Sequence, residues 1–163
     1  MLPPGTWLRP IAPADKDRLQ AGVAALSPES AYGRFLTGKS SLTDGELRYL
    51  TEVDGVDHIA LVVLDRERRL VAVGRIVRDR AHPDTAELAV VVADHWQRRG
   101  IGRLLTRELT LRSGVERVSG TMLATNRAAL ALMRGIGPLE YSAISAGVRE
   151  VVARVPADIA LAA

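Results

Sequence analysis

Three apolar, β-branched runs follow one another in the middle of the chain: His58–Leu64, Leu70–Val77 and Thr85–Val92. The first link between them, Asp65-Arg66-Glu67-Arg68-Arg69, is short and charged, and the second contains the turn residues His82-Pro83-Asp84. Links this short exclude parallel neighbours, which need a crossover of roughly a dozen residues or more. The three runs are therefore expected to form a continuous antiparallel meander.

Helical signals flank the meander. Trp7–Ile11 reads as a short first strand closed by Pro10 and Pro13, and Asp15 is placed to cap a helix carrying Leu19, Val23 and Leu26. Ser27-Pro28-Glu29-Ser30 starts a second helix with Ser27 as cap and Pro28 in the first turn. Tyr32 and Phe35 are expected to face the sheet there, and Arg34 to be exposed to the acceptor. Thr43 and Glu46 fit a capping box for a third helix through Leu50. Beyond the meander, Arg103–Arg112 has helical periodicity, Val115–Leu123 reads as a strand, and Asn126–Arg134 as an Ala/Leu-rich helix ending near Gly135 and Gly137. Leu139–Ser145 and Val148–Val155 form a last hairpin around Ala146-Gly147. The fold class is α+β, a mainly antiparallel sheet with helices on both faces, in one domain over 1–163.

Composition narrows the chemistry. There is no cysteine among 163 residues, so disulfides, thiol nucleophiles and Cys-based zinc sites are excluded. His58, His82 and His95 lack metal-site spacing, and no metal is expected. No stretch approaches the ~20 apolar residues of a membrane span, and Met1-Leu2-Pro3-Pro4 has no signal-peptide pattern, which points to the cytoplasm. The net charge is only +3 and aromatics are 4%, too few for a base-stacking surface, so neither a nucleic-acid nor a membrane partner is expected. Lys16 and Lys39 are the only lysines. The basic residues are otherwise arginine, the better group for bidentate phosphate contact.

Chemistry concentrates between Glu87 and Arg112. Gly100 and Gly102, one residue apart, let backbone amides approach a ligand, and the helix that follows offers free N–H groups and a favourable dipole to an anion. Arg98, Arg99 and Arg103 add charge, so the segment reads as a diphosphate nest. A Walker loop would need Gly-Lys-Ser/Thr, which is absent. A dinucleotide fingerprint would need a third glycine where Leu105 stands, and strands alternating with helices.

Val90-Val91-Val92 followed by Gln97-Arg98-Arg99-Gly100-Ile101-Gly102 closely resembles the Gln/Arg-x-x-Gly-x-Gly acetyl-CoA motif of GNAT-family N-acetyltransferases. Asn126, Ala129 and Leu132, then Gly137, resemble that family's second signature. Within the family the chain is similar to the catalytic domain of bacterial Pat-type protein lysine acetyltransferases, through Leu26–Phe35, Leu50-Thr51, Val53-Asp54 and His58–Leu61. Some of those proteins carry an extra nucleotide-binding domain, for which this chain has no room.

The resemblance implies a sheet splayed beside Val92, with the pantetheine arm of acetyl-CoA bonded to backbone groups of Val90, Val91 and Val92. The diphosphate would rest on the segment Gln97, Arg98, Arg99, Gly100, Ile101, Gly102 and Arg103. An amide near Val91 would polarise the thioester, and Asn126 would contact the cofactor or fix the mouth of the splay. Neutralising a lysine ammonium at pH 7 costs roughly 4–5 kcal/mol, so a base is useful. Glu87 stands alone in an apolar run, either desolvated in the cleft or on an exposed strand face, and the Pat-type pattern implies that it is the base. The family's acid tyrosine position holds Met133, and Tyr141 is expected to cap the last strand, so no acid is assigned. The expected acceptor is a protein lysine, with a small amine as alternative; a non-catalytic acetyl-CoA sensor is the other class. The protein is expected as a monomer or homodimer.

Overall fold

The structure, a computed structural model, describes residues 1–36 and 39–157. The proposed domain over 1–163 extends past these, at 37–38 and 158–163. Seven strands and five helices follow in the order β1 (Trp7–Pro10), α1 (Lys16–Ala24), α2 (Pro28–Phe35), α3 (Asp44–Thr51), β2 (His58–Leu64), β3 (Leu70–Arg78), β4 (Thr85–Val92), α4 (Ile101–Ser113), β5 (Arg117–Leu123), α5 (Arg127–Arg134), β6 (Leu139–Ser145) and β7 (Val148–Arg154). They build one sheet in the order β1-β2-β3-β4-β5-β7-β6, antiparallel except between β4 and β5. The expected α+β meander is present.

The unbroken apolar character of β2 has a direct cause: both faces of the sheet are covered. Ile59, Leu61 and Val63 point into a core with Ile101, Leu105 and Leu109 of α4 and Met133 of α5. Ala60, Val62 and Leu64 alternate onto the other face, against Leu19 and Val23 of α1 and partly buried Leu47 and Leu50 of α3. Two layers of helices over this part of the sheet bury an apolar side chain at nearly every position of β2. Among the described residues no helix is long and apolar enough to cross a membrane.

Local signals hold in most places. Ser27 accepts from the Ser30 amide, and Thr43 with Glu46 forms the reciprocal capping box. Ala146 and Gly147 both have positive φ, which matches a tight hairpin turn between β6 and β7. Three expectations need correction. Asp15 does not cap α1 with its side chain; its carboxylate, 1% exposed, is taken by Arg9, Arg18 and the Ala12 amide. The two guanidiniums outcompete the helix amides for it. Tyr32 does not pack on the sheet but is 47% exposed, because Ala31 occupies the inward face of α2. Tyr141 is exposed inside edge strand β6 rather than capping β7.

Candidate active site

The site follows from where two strands stop pairing. β4 stays in register with β3 from Arg78↔Ala86 to Ala72↔Val92. Its parallel pairing with β5 covers only Thr85–Glu87 against Arg117–Ser119. β5 remains paired to β7 as far as Leu123↔Val148, so the two halves of the sheet diverge beyond Glu87 and Ser119. The gap is a cleft of about 370 Å³, a volume suited to a small-molecule arm. Leu88, Val90, Met122, Ala129, Leu132 and Met133 give it apolar walls, and its polar side chains are Arg34, Glu87, Thr121 and Asn126.

At the end of β4 the chain makes a single 3₁₀ turn, Asp94–Trp96, and then reverses into α4. Arg98 (φ 57°) and Gly100 (φ 81°) are both left-handed, and only the glycine adopts that conformation without a Cβ penalty. No side chain caps α4, and its first bond runs from the Leu104 amide to the Gly100 carbonyl, 3.0 Å. The amides of Ile101, Gly102 and Arg103 are thus left without helical partners and favour an anion. Arg98, Arg99 and Arg103 are exposed around them. The Arg99 guanidinium lies 4.9 Å from the Trp96 ring, and Trp96 in turn packs on the core beneath the loop.

Two expected cofactor residues also hold the protein's own frame. The Gln97 amide donates to the Val92 carbonyl (3.1 Å) and to Ser30 Oγ (3.2 Å), bracing the loop against β4 and α2. Asn126 accepts from the Ala129 amide at 3.0 Å, capping α5, while lining the cleft. Val90, Val91 and Val92 lie on the part of β4 that β5 leaves unpaired. Met133, where a tyrosine acid would stand, is a buried cleft wall and donates no proton.

Glu87 occupies the last paired rung. It is exposed, which resolves the alternative left open by sequence, yet it lines the cleft. It also lines a second cleft of about 660 Å³ on the far side of the fork. Carboxylates of Glu52, Asp54, Asp57, Asp79 and Glu87 surround that second space, against Arg78 and Arg80. Most of them are engaged. Asp57 pairs with Arg78 at 3.1 Å, Glu52 with Lys16, and Asp79 with His82. Asp54 accepts the amides of His58, Val56 and Asp57, which hold its carboxyl below the usual value. Among the described residues the Glu87 carboxylate has neither an ion pair nor a hydrogen bond.

Sequence reasoning missed Arg75, although an arginine inside the run Leu70–Val77 was the available signal. It is 6% exposed and donates to the Leu50 carbonyl (3.2 Å), with its Nη1 3.0 Å from His58 Nε2. Burial pushes it down to about 10, with Arg34 adding repulsion. Burial, then the Arg75 charge, pushes His58 down to about 4, so the ring is neutral and accepts from Arg75. Arg34 is partly buried against the Phe35 ring, 5.2 Å away. Its guanidinium is lowered by burial, and the charge of Glu87 opposes that shift.

Comparison with known proteins agrees with this geometry. Residues 29–137 match the family described as the acetyltransferase (GNAT) family. The chain is 34% identical over 139 residues to acetyltransferase Pat of Mycolicibacterium smegmatis, an alignment covering 82% of this chain and 41% of that protein. It therefore spans well under half the length of that curated relative. Its fold matches the GNAT domain of S. lividans PAT with a TM-score of 0.81 at 24% identity, covering 91% of this chain and 89% of the other. It also matches yncA of Salmonella typhimurium, solved with its cofactor acetyl-CoA (TM-score 0.69, 14% identity, coverage 94% and 95%).

Proposed function

Since the chain belongs to the acetyltransferase (GNAT) family, whose members use acetyl-CoA, we propose that it transfers the acetyl group to the ε-amine of a protein lysine by direct attack in a ternary complex. The observation that carries this reading is Glu87, an unengaged carboxylate at the fork, shared by the apolar cleft and the acid-lined one. Acetyl-CoA supplies an activated acyl group.

The chain fits such a donor on two counts. The open edge of β4 at Val90–Val92 offers backbone groups to an extended amide-containing arm, in the manner of an added strand. The uncapped amides at the start of α4, with Arg98, Arg99 and Arg103, offer a cradle to its diphosphate. An amide near Val91 would polarise the thioester carbonyl. Asn126, which caps α5, steadies the other wall.

On the acceptor side, the acid-lined cleft draws in an ammonium. Glu87 takes its proton, directly or through water, so that the amine is neutral when it meets the acyl carbon. No residue is assigned to protonate the leaving thiolate, a tolerable leaving group near neutral pH.

The same carboxylates support a second reading, acetylation of a small polycationic amine. Sequence alone showed only scattered acids; the fold gathers five of them around one space. Incubation with labelled acetyl-CoA and a cell lysate, followed by mass spectrometry, decides between the two. Label on protein lysines, lost in Glu87→Gln, supports the proposal. Label confined to small amines replaces it with the second reading. Cofactor binding without transfer to either identifies a non-catalytic module.

A further inference from the structure

α2 is poorly anchored by apolar contact. Of its eight residues Ala31 alone is fully buried, Phe35 is partly buried, and Tyr32 faces solvent. Yet this helix contributes Gly33, Arg34 and Phe35 to the wall of the cofactor cleft. Its position matters, and something other than core packing has to fix it.

Polar contacts to the cofactor loop do so. Asp94, two residues after the end of β4, accepts from the Ser27 amide (2.9 Å), from Ser27 Oγ (3.0 Å) and from Ser30 Oγ. Those bonds, that to Ser30 first, hold its carboxyl below the usual range. The carboxylate also sits at the positive end of the α2 dipole. Gln97 adds a second tie, donating to Ser30 Oγ while gripping the Val92 carbonyl. The first turn of α2 is thereby fastened, across more than sixty residues of sequence, to the segment that opens into the diphosphate cradle.

We infer that Asp94 is a positioning residue, a latch through which occupancy of the cofactor loop sets the order of α2. This rests on the acetyl-CoA reading above. A ligand that immobilises the Gln97–Gly102 backbone immobilises Asp94 and Gln97 with it. The latch then holds α2, and Arg34 and Phe35 are presented in one arrangement to the cleft.

Amide hydrogen exchange on the full chain tests the coupling, with coenzyme A as the probe. In the wild type, coenzyme A should raise protection of the amides of residues 29–36 about tenfold. In Asp94→Ala, coenzyme A should bind within about threefold of wild type while that gain disappears. Asp94→Asn, whose side-chain oxygen still accepts, should recover most of it. Ser30→Ala should lose part of it and serves if Asp94→Ala does not fold. Transfer by Asp94→Ala, with rates normalised to the folded fraction, should show a lower kcat with an unchanged KM for acetyl-CoA, whereas mere loss of stability would leave the normalised kcat unchanged. The inference is overturned if coenzyme A leaves α2 exchange unchanged in the wild type, or if the gain survives in Asp94→Ala or undiminished in Ser30→Ala. Failure of the wild type to bind coenzyme A overturns the cofactor reading itself and the latch with it.

Discussion

Replacing Glu87 by Gln removes, among the described residues, a carboxylate at the fork that has no hydrogen bond or ion pair, while keeping its size, so its effect can be worked out in advance. A free lysine has a pKa near 10.4; at pH 7 roughly one molecule in 2,500 is neutral, a cost of about 4.6 kcal/mol. With the carboxylate present, the ammonium binds and loses its proton in place, so kcat/KM for the acceptor should be nearly flat from pH 7 to about pH 9. Without it, the enzyme depends on amine that is already neutral, and kcat/KM should climb about tenfold per pH unit. The deficit at pH 7 should lie between about 10² and 10³-fold. Exposure of Glu87 argues for the lower end, because water reaches the same position. By pH 9.5 the deficit should fall below about tenfold. Coenzyme A affinity, measured by calorimetry, should stay within about twofold, since Glu87 precedes the proposed diphosphate cradle by ten residues or more. A deficit constant across pH would refute the base assignment, as would parallel profiles for the two proteins.

Other perturbations test other parts of the fold. The His58 ring should titrate near pH 4 by NMR; Arg75→Met should move it part of the way toward 6.5, since burial, the larger cause, remains, and an unmoved value would remove Arg75 as its partner. Because the folded value is depressed, the unfolded chain takes up this proton first as pH drops below 6.5, so His58 should cost stability progressively down to about pH 4. After allowance for solvent at the half-buried ring the loss is about 1–2 kcal/mol, read from urea midpoints; midpoints that shift no less in His58→Gln would contradict it. A Cβ on Gly137 would lie 2.1 Å from the Arg154 carbonyl oxygen, so Gly137→Ala should cost about 3 kcal/mol, or about 6 °C in Tm, and an unchanged Tm would show that the close approach is not kept. Gly100→Ala meets no neighbour within 4 Å and is strained only by its φ of 81°. It should lose about 1 kcal/mol of stability if the loop keeps its turn, or about fivefold in coenzyme A affinity if the loop relaxes; a variant with neither change contradicts the turn.

What was legible in the sequence was local or periodic. The meander could be read because the spacing of β2, β3 and β4 leaves no room for crossovers, and the cradle because Gly100 and Gly102 directly precede an apolar helical pattern. Helix caps at Ser27 and Thr43 depend on residues three apart and were equally visible. What stayed hidden depends on pairs far apart in sequence. Asp15 carries a capping signature, but Arg9 and Arg18 take its carboxylate. Asp94 and Ser30 meet only after the sheet has formed. The five acids of the acid-lined cleft come from α3's end, the turn before β2, and both sides of the β3–β4 link, so no window of sequence contains them.

The fork itself explains why the chemistry sits where it does. A β4–β5 ladder continued beyond Glu87 and Ser119 would pair several more backbone groups, each worth about 0.5–1.5 kcal/mol. The protein forgoes that stability and leaves an unpaired edge in the interior of its sheet, a feature folded proteins ordinarily avoid. The edge is shielded from pairing with another chain because apolar side chains of β4, β5 and α5 wall the gap. Such a gap admits a slender arm but not a full strand with side chains on both faces. Because β4 is held on one side by β3 throughout, the opening cannot close by sliding without breaking the register from Arg78↔Ala86 to Ala72↔Val92. A ligand whose amides satisfy the open edge, and whose anionic end meets the uncapped start of α4, therefore supplies what the free fold lacks at both points. Glu87, at the last rung before the strands part, stands where that arm would end and the acid-lined cleft begins.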